Sequence, residues 1–337
     1  MKTMHRRALI KAALATPVAA SILRPRAAAA EFVFKFGNNV PATYPLNTRV
    51  KAAAARIRQA TNGRFDLQIF PAGQLGTDTD MLTQVRSGAL QFFTPSGLVL
   101  STFVPLTAIN ALGFAFKDYR QVWPAMDGKL GAIIRAKIDA AGLYALDKMF
   151  DIGFREITSS TRPIEGPESL RGFKIRIPPS QLGVSMFKAL GAAPTTLNFA
   201  EVYNALETHI VDGQENPLSI IDAVKFYEVQ KYVSMTNHMW DGFWMVCNGP
   251  AWKGLPDDVR QVVSRELNRA AEEDRQDIAA LDTSLKGKLE AKGMQFNTPD
   301  PTAFRAALKR AGFYDEWRKA FGAEAWTTLE SYVGPLA

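Results

Sequence analysis

Apolar residues recur along the chain with two periods, which predict strands and helices in turn. Residues 32–36 and 64–70 alternate apolar and polar positions and predict two strands. Residues 45–60 between them have a helical pattern that begins with proline. Thr77 with Asp80 resembles a capping box, which predicts a further helix. This β-α-β-α order predicts largely parallel sheets covered by helices.

A second set of elements begins near residue 151. Residues 153–157 and 174–178 predict strands, and residues 256–292 predict one very long helix. A helix of that length reaches about 55 Å, which is longer than one domain is wide. Gly287 leaves open whether this helix is continuous.

The length of 337 residues favours two domains. The order of elements and the length together predict an α/β fold with two domains, and the long helix could run across both. The predicted division is 1–30 for an export signal, 31–152 plus 242–281 for domain I, and 153–241 plus 282–337 for domain II.

The first thirty residues have the three parts of an export signal. A basic segment containing Arg6-Arg7 precedes the apolar stretch 12–23, and Ala28-Ala29-Ala30 forms a cleavage site. The paired arginines resemble a twin-arginine signal. Twelve apolar residues are too few to span about 30 Å of hydrocarbon, so cleavage and a periplasmic location are favoured over a membrane anchor.

Most of the net charge of +7 lies in this segment. Without its six basic residues the remainder carries 7 − 6 = +1, and it has no run of lysine or arginine. A nucleic-acid-binding face needs clustered positive charge, so we expect no nucleic-acid partner. The six residues are Lys2, Arg6, Arg7, Lys11, Arg24 and Arg26.

Residues 87–116 are uncharged, but proline and glycine interrupt them. We therefore predict short buried strands and loops rather than a membrane helix, and a segment of this kind also suits the lining of a ligand cleft.

The residues of enzymatic and metal chemistry are scarce. His209 and His238 have no neighbouring acid at metal-ligand or general-base spacing, and Cys247 lies in an apolar run typical of a buried side chain. Glycine-rich nucleotide-binding motifs are absent from the sequence. We expect no catalytic residue, no metal and no cofactor.

Two arginines and an asparagine are candidates for ligand binding. Arg176 lies at the end of a predicted strand, where an arginine can hold a carboxylate with two parallel hydrogen bonds. Arg155 lies in another, mostly apolar strand. Asn216 precedes Pro217 and is predicted to cap a helix, a position that also suits an anion. The alternative for each arginine is a solvated or salt-bridged side chain, and the alternative for Asn216 is a purely structural cap.

Several segments in order resemble the DctP family, the solute-binding proteins of tripartite ATP-independent periplasmic (TRAP) transporters. The resemblance covers nearly all of the chain after the export signal. The segments are Phe70-Pro71-Ala72-Gly73-Gln74-Leu75-Gly76, Leu170-Arg171-Gly172 before Lys174-Ile175-Arg176, Phe199 to Leu206, Val211-Asp212-Gly213-Gln214-Glu215-Asn216-Pro217, and Phe226 to Lys231.

The resemblance implies an α/β, two-domain fold like that of periplasmic binding proteins, with a ligand cleft between the domains and a long domain-spanning helix. It also implies a binding protein that passes a small carboxylate to the membrane subunits of a TRAP transporter. By this resemblance Arg176 forms the main bidentate salt bridge, and Arg155 and Asn216 assist it. Phe199 packs on the ligand, and Asn39 reaches in from the first domain. We expect a monomer.

The predicted ligand is an aromatic or branched 2-oxo or 2-hydroxy monocarboxylate. Ser96 stands where the sialic-acid-binding branch of the family has an acidic contact, and Trp240 and Phe243 make the cleft apolar. Hydroxyls of a sugar acid would be left unpaired there. The alternative ligand is a C4-dicarboxylate, whose second carboxylate Arg155 would hold. The alternative functions are a periplasmic enzyme acting on a similar ligand and a sensor protein.

Overall fold

A computed structural model describes residues 29–336 of the chain. The paired arginines and the apolar stretch of the predicted export signal lie outside the described residues. The described part is a mixed α/β structure built on two sheets of five and six strands. This confirms the predicted fold class.

Eleven strands form the two sheets of the described part. They are β1 Phe32–Gly37, β2 Phe65–Phe70, β3 Phe92–Phe93, β4 Leu143–Ala145, β5 Phe150–Ser159, β6 Lys174–Ile177, β7 Ala193–Thr196, β8 Gly213–Asn216, β9 Tyr232–Phe243, β10 Val246–Asn248 and β11 Gln295–Asn297.

Thirteen α-helices and four short 3-10 helices cover the sheets in residues 29–336. The α-helices are α1 Pro45–Ala60, α2 Asp78–Ser87, α3 Gly97–Leu100, α4 Tyr119–Asp127, α5 Lys129–Ala140, α6 Gln181–Ala189, α7 Val202–Glu207, α8 Leu218–Ala223, α9 Gly249–Lys253, α10 Asp257–Ala291, α11 Pro301–Arg310, α12 Phe313–Phe321 and α13 Ala323–Val333. The 3-10 helices are Pro105–Ala111, Pro167–Leu170, Phe199–Glu201 and Phe226–Glu228.

In both sheets, segments that follow parallel strands contribute to the candidate site described below. The first sheet has the order β2-β1-β3-β10-β4, and β1 is parallel to both β2 and β3. The second has the order β11-β9-β5-β8-β6-β7, and β6 is parallel to both β7 and β8. The helices and loops that follow these strands therefore leave each sheet at its carboxyl edge.

The chain passes between the sheets three times, twice through strands that lie side by side and once through α10, which leads from β10 to β11. After β4 it enters the second sheet through β5, and after β9 it returns to the first sheet through β10. Phe150 at the start of β5 pairs with Phe243 at the end of β9, so both connections meet at one antiparallel pair of strands. Movement of one sheet relative to the other requires this pair to bend.

Helix α10 contributes to the cores of both halves of the molecule. Val263 and Ala270 belong to an apolar cluster with β1 and α1, whereas Leu285 and Leu289 pack with residues of α7 and β9. The helix has 35 residues and continues through Gly287 without a break. Its length of about 52 Å agrees with the predicted domain-spanning helix.

The last three helices contact both halves. Helix α13 packs against α4 and α5, while α11 and α12 pack against α6. The apolar cluster to which they belong is continuous from Ile134 on α5 to Phe187 on α6. The predicted domain boundaries, with residues 282–337 assigned to domain II alone, stay a prediction.

The uncharged segment 87–116 agrees only in part with the prediction of short strands and loops. Phe92–Phe93 is a strand and much of the segment is turn and loop, but α3 and the 3-10 helix Pro105–Ala111 were not predicted. Ser96 accepts a hydrogen bond from the backbone of Val99 and so starts α3, and proline starts the 3-10 helix. In the part of the chain that is described, no helix is long and apolar enough to cross a membrane.

Candidate functional site

A closed cavity lies between the carboxyl edges of the two sheets. Its lining comes from segments that follow β1, β3, β6 and β7, together with the ends of β8 and β9, which is where ligands bind in open α/β sheets. Seven of the eight predicted site residues line it. The lining residues are Asn39, Val40, Asp78, Ser96, Val99, Ile152, Arg155, Arg176, Pro178, Phe199, Asn216, Ile220 and Phe243.

Arg176 is a buried cation without a carboxylate partner. Its side chain is 1% exposed, and its Nε and Nη2 both donate to the carbonyl oxygen of Leu197, at 3.0 and 2.6 Å. Among the ion pairs of the described residues, none includes Arg176 within 4.0 Å. Burial lowers the pKa of Arg176 to about 10, so the guanidinium remains charged at neutral pH. A buried charge in this state is stabilised by an anion that enters the cavity.

Arg155, in contrast, is already neutralised. Its Nε and Nη2 donate to the two carboxylate oxygens of Glu215, and its Nη1 lies 3.3 Å from a carboxylate oxygen of Asp241. Burial alone would raise the pKa of Glu215, but the charge of Arg155 and a hydrogen bond from His238 hold it at about 2. Two carboxylates therefore surround Arg155 before any ligand binds.

Asn39 and Asp78 form the polar side of the cavity on the first sheet. The Nδ2 of Asn39 donates to both carboxylate oxygens of Asp78, at 2.9 and 3.0 Å. Burial raises the pKa of Asp78, whereas the hydrogen bond from Asn39, the charge of Arg176 and the backbone of Phe199 oppose that increase. Phe199 belongs to the second half of the molecule, so Asp78 contacts both sides of the cavity.

Asn216 and Ser96 also line the cavity, but their side chains have protein partners. Asn216 is the last residue of β8 rather than a helix cap, because Pro217 occupies the N-cap position of α8. Its Nδ2 donates to the side-chain oxygen of Gln214. The Ser96 hydroxyl oxygen accepts from the backbone of Val99 at 3.2 Å.

The remainder of the wall is apolar and the cavity is small. Phe243 and Phe199 face it together with aliphatic side chains, and its volume is about 30 Å³. A neighbouring pocket of about 210 Å³ shares Asn39, Asp78 and Phe199 with it. The Thr79 hydroxyl reaches Asn198 of the other half at 3.3 Å. The cavity has about the volume of one water molecule, so binding of an organic acid requires the two halves to move apart.

Trp240 does not line the cavity, contrary to the prediction. Trp240 lies three positions before Phe243 on β9. In a strand, side chains an odd number of positions apart point to opposite faces. Its indole packs against Trp123 with ring centroids 5.3 Å apart and donates to Asp151 at 3.0 Å. Trp240 therefore stabilises the core behind the site.

Sequence reasoning missed three carboxylates in or next to the site, Asp78, Glu215 and Asp241. Asp78 follows Thr77 at the start of α2, and the predicted capping box was the available signal for its position. Glu215 lies inside the motif that carries the resemblance, next to Asn216. Its pairing with Arg155 depends on the antiparallel register of β5 and β8, which neither strand reveals alone.

The histidine and cysteine candidates have structural surroundings. His238 is buried between the hydroxyl of Thr236 and the carboxylate of Glu215, and burial lowers its pKa. Cys247 is buried in the first sheet, where burial raises its pKa well above the usual range. Within residues 29–336, no group of three or more histidine, cysteine or acidic side chains is placed to hold a metal ion.

Known proteins share both the sequence pattern and the fold. The family profile described as bacterial extracellular solute-binding protein, family 7 (DctP), matches residues 36–319. A solute-binding protein of Roseobacter denitrificans is 31% identical over 302 residues, which are 90% of this chain and 92% of the relative. Its crystal structure with bound L-galactonate superposes with a TM-score of 0.83.

Two further crystal structures of TRAP periplasmic solute-binding proteins have the same fold with other ligands. The protein of Sulfurospirillum deleyianum with bound succinate has a TM-score of 0.84 and 30% identity, and the match covers 90% of this chain and 99% of that one. The protein of Ralstonia eutropha with bound (S)-2-acetolactate has a TM-score of 0.83 and 30% identity, with coverage of 89% and 98%. The chain described above therefore belongs to the DctP family of solute-binding proteins of TRAP transporters.

Proposed function

We propose that this protein captures a small monocarboxylate with a branched or aromatic apolar tail and presents it to the membrane subunits of a TRAP transporter. The observation that carries this proposal is the buried guanidinium of Arg176, which lacks a carboxylate partner among the described residues. Its remaining hydrogen-bonding capacity suits a ligand carboxylate, because guanidinium and carboxylate pair with two parallel hydrogen bonds.

The state of Arg155 supports one ligand carboxylate rather than two. Glu215 and Asp241 already balance its charge, so a second carboxylate at Arg155 would meet two buried anions. Like charges at such short range are unfavourable in a buried site. A C4-dicarboxylate, which the succinate-bound relative accommodates, is for this reason the second candidate.

The apolar wall supports the proposed tail. Phe199, Phe243 and Ile220 can bury a branched or aromatic group at roughly 25 cal/mol per Å². The Asn216 amide nitrogen and the Ser96 hydroxyl oxygen already have a protein partner each, so part of the polar capacity of the wall is used before a sugar acid could pair its hydroxyls. Each hydroxyl left unpaired would cost about 1–3 kcal/mol. Acetolactate, bound by the Ralstonia relative, is a branched acid of the proposed size.

We infer that the protein acts in the periplasm as a monomer and has no catalytic role. Support comes from the family, whose similar structures are described as periplasmic binding proteins, and from the two buried, hydrogen-bonded carboxylates that occupy Arg155. A turnover assay on the acids that bind tests the absence of catalysis, because a product formed from any of them would contradict it.

A thermal-shift screen tests the proposed ligand class. Branched and aromatic 2-hydroxy and 2-oxo acids should raise the melting temperature, since a ligand that binds only the folded state stabilises it by mass action. At a concentration of 100 times Kd the stabilisation is about 2.7 kcal/mol. Succinate and L-galactonate serve as the comparison compounds. Stabilisation by sugar acids alone, or by succinate alone, would contradict the proposal.

The proposed export route rests on Arg6 and Arg7. Replacing both with lysine retains the positive charge but removes the arginine pair on which twin-arginine transport depends. We expect the double variant to accumulate in the cytoplasm, measured by fractionating cells that express it. The same fractionation of a single Lys2→Arg variant is the control. An undiminished periplasmic pool of the double variant would assign export to the general secretory route.

A further inference from the structure

The side chain of Asn39 has one atom without a hydrogen-bond partner. Its Nδ2 donates to both oxygens of Asp78, which fixes the orientation of the amide. Its Oδ1 is buried, and no donor within the described residues bonds to it. An unpaired buried acceptor is costly, so at the wall of a ligand cavity it indicates a donor supplied by the ligand.

The neighbour that holds Asn39 adds acceptors rather than donors. The carboxylate of Asp78 accepts from Asn39, while the Ser96 oxygen accepts from the backbone of Val99 and keeps its own hydrogen to donate. The strong donor of the cavity is Arg176, which the proposed function assigns to the ligand carboxylate. A carbonyl oxygen of the ligand placed next to Asn39 and Asp78 would therefore face acceptors.

The lining of the cavity places the donor near the carboxylate. Arg176 and Asn39 line the same cavity, so a ligand whose carboxylate contacts Arg176 lies next to Asn39. The charge of Arg176 also acts on Asp78, which Asn39 contacts. A hydroxyl on the carbon next to the carboxylate is thus positioned to reach Oδ1 of Asn39.

We propose that the protein selects hydroxy acids over oxo acids, with the Oδ1 of Asn39 accepting the hydrogen bond of the ligand hydroxyl. Asp78 is the positioning residue, because its carboxylate holds the Nδ2 of Asn39 and so turns the acceptor of the amide to the ligand. A 2-oxo acid presents lone pairs to that acceptor and leaves it unpaired. This selectivity rests on the proposed monocarboxylate function and narrows its ligand class.

Calorimetry with a pair of acids that share one carbon skeleton tests the selectivity. The probes are 2-hydroxy-3-methylbutanoate and 2-oxo-3-methylbutanoate, which carry the same charge and the same branched tail. We expect the hydroxy acid to bind the native protein at least about tenfold more tightly, the effect of leaving one buried acceptor unpaired.

Two variants test the roles of the residues. In Asn39→Ala the acceptor is gone, so the ratio of the two dissociation constants should approach one, mainly through weaker binding of the hydroxy acid. In Asp78→Asn the acceptor of Asn39 remains, but its amide is free to turn, so the ratio should fall as well. Because both acids have the same charge, the loss of the Asp78 charge cancels in the ratio. Binding of the oxo acid to each variant shows that it is folded.

The possible results separate this selectivity from the proposed function. Equal binding of both acids, or tighter binding of the oxo acid, would overturn the selectivity and leave the monocarboxylate function in place. A tenfold preference that survives in both variants would overturn the roles of Asn39 and Asp78. Binding of neither acid, together with binding of succinate or L-galactonate, would overturn the proposed function itself.

Discussion

Replacing Arg176 with lysine should weaken ligand binding about a hundredfold, and replacing it with alanine at least as much. A desolvated, charge-assisted bidentate pair contributes about 3 kcal/mol, and a lysine ammonium lacks the planar arrangement of donors. Two nitrogens of Arg176 are also held by the carbonyl oxygen of Leu197, which keeps the guanidinium in place. Calorimetry with a ligand identified by the thermal-shift screen measures the loss.

A matched control for Arg176 lies two residues earlier on the same strand. Lys174 is exposed, so Lys174→Ala should leave affinity unchanged. The ligand-free Arg176→Ala protein should be at least as stable as the native protein, because the substitution removes a buried cation without a carboxylate partner. Near-native affinity in both Arg176 variants would remove this residue from the site.

Replacing Glu215 with alanine should lower the free energy of unfolding by about 3–5 kcal/mol, since it leaves the buried Arg155 with one remaining carboxylate. Chemical denaturation measures the change. Glu207 is exposed on α7, and Glu207→Ala is the control expected to change stability little. Equal losses in the two variants would show that the pair with Arg155 does not determine the effect.

The Glu215 pair also predicts a pH dependence. The pKa of Glu215 is held at about 2, below its ordinary value of about 4.3. A carboxyl with a depressed pKa stabilises the folded state above its unfolded pKa and loses that contribution as pH falls through its folded pKa. The stability difference between the native protein and Glu215→Gln should therefore be constant above about pH 5 and shrink between about pH 4 and pH 2. A difference that stays constant down to pH 2 would contradict the low pKa.

The sequence predicts the bounds of a helix well where a proline or a capping residue marks its start. Helix α1 has the predicted bounds because proline fixes its start, and the capping box of Thr77 and Asp80 has the predicted hydrogen bonds. The segment 87–116 lacks such a signal. Without charged residues its apolar pattern has no clear period, so the prediction of strands and loops missed α3 and the 3-10 helix Pro105–Ala111.

Site residues at the ends of parallel strands could be predicted from the sequence. Contacts that depend on the pairing register of two strands could not. Arg176 lies at a strand end that the sequence shows, whereas the Arg155–Glu215 pair depends on two strands that are 60 positions apart in the chain. Strand β9 shows the same limit. Between Ser234 and Met239 the β5–β9 pair is irregular, so sequence spacing does not relate the faces of β9 before this part to those after it.

The position of β10 between β3 and β4 has a consequence for how the chain folds during its synthesis. The ribosome makes β10 only after residues 150–243, most of which build the other sheet. Until then β3 and β4 have no strand between them, and the apolar face that Val259, Val263 and Leu267 later cover stays exposed. The amino-terminal half therefore cannot complete its fold on its own while the rest is being made. Folding of this half is delayed until nearly three quarters of the chain has been translated. During that time the exposed apolar face can bind a chaperone.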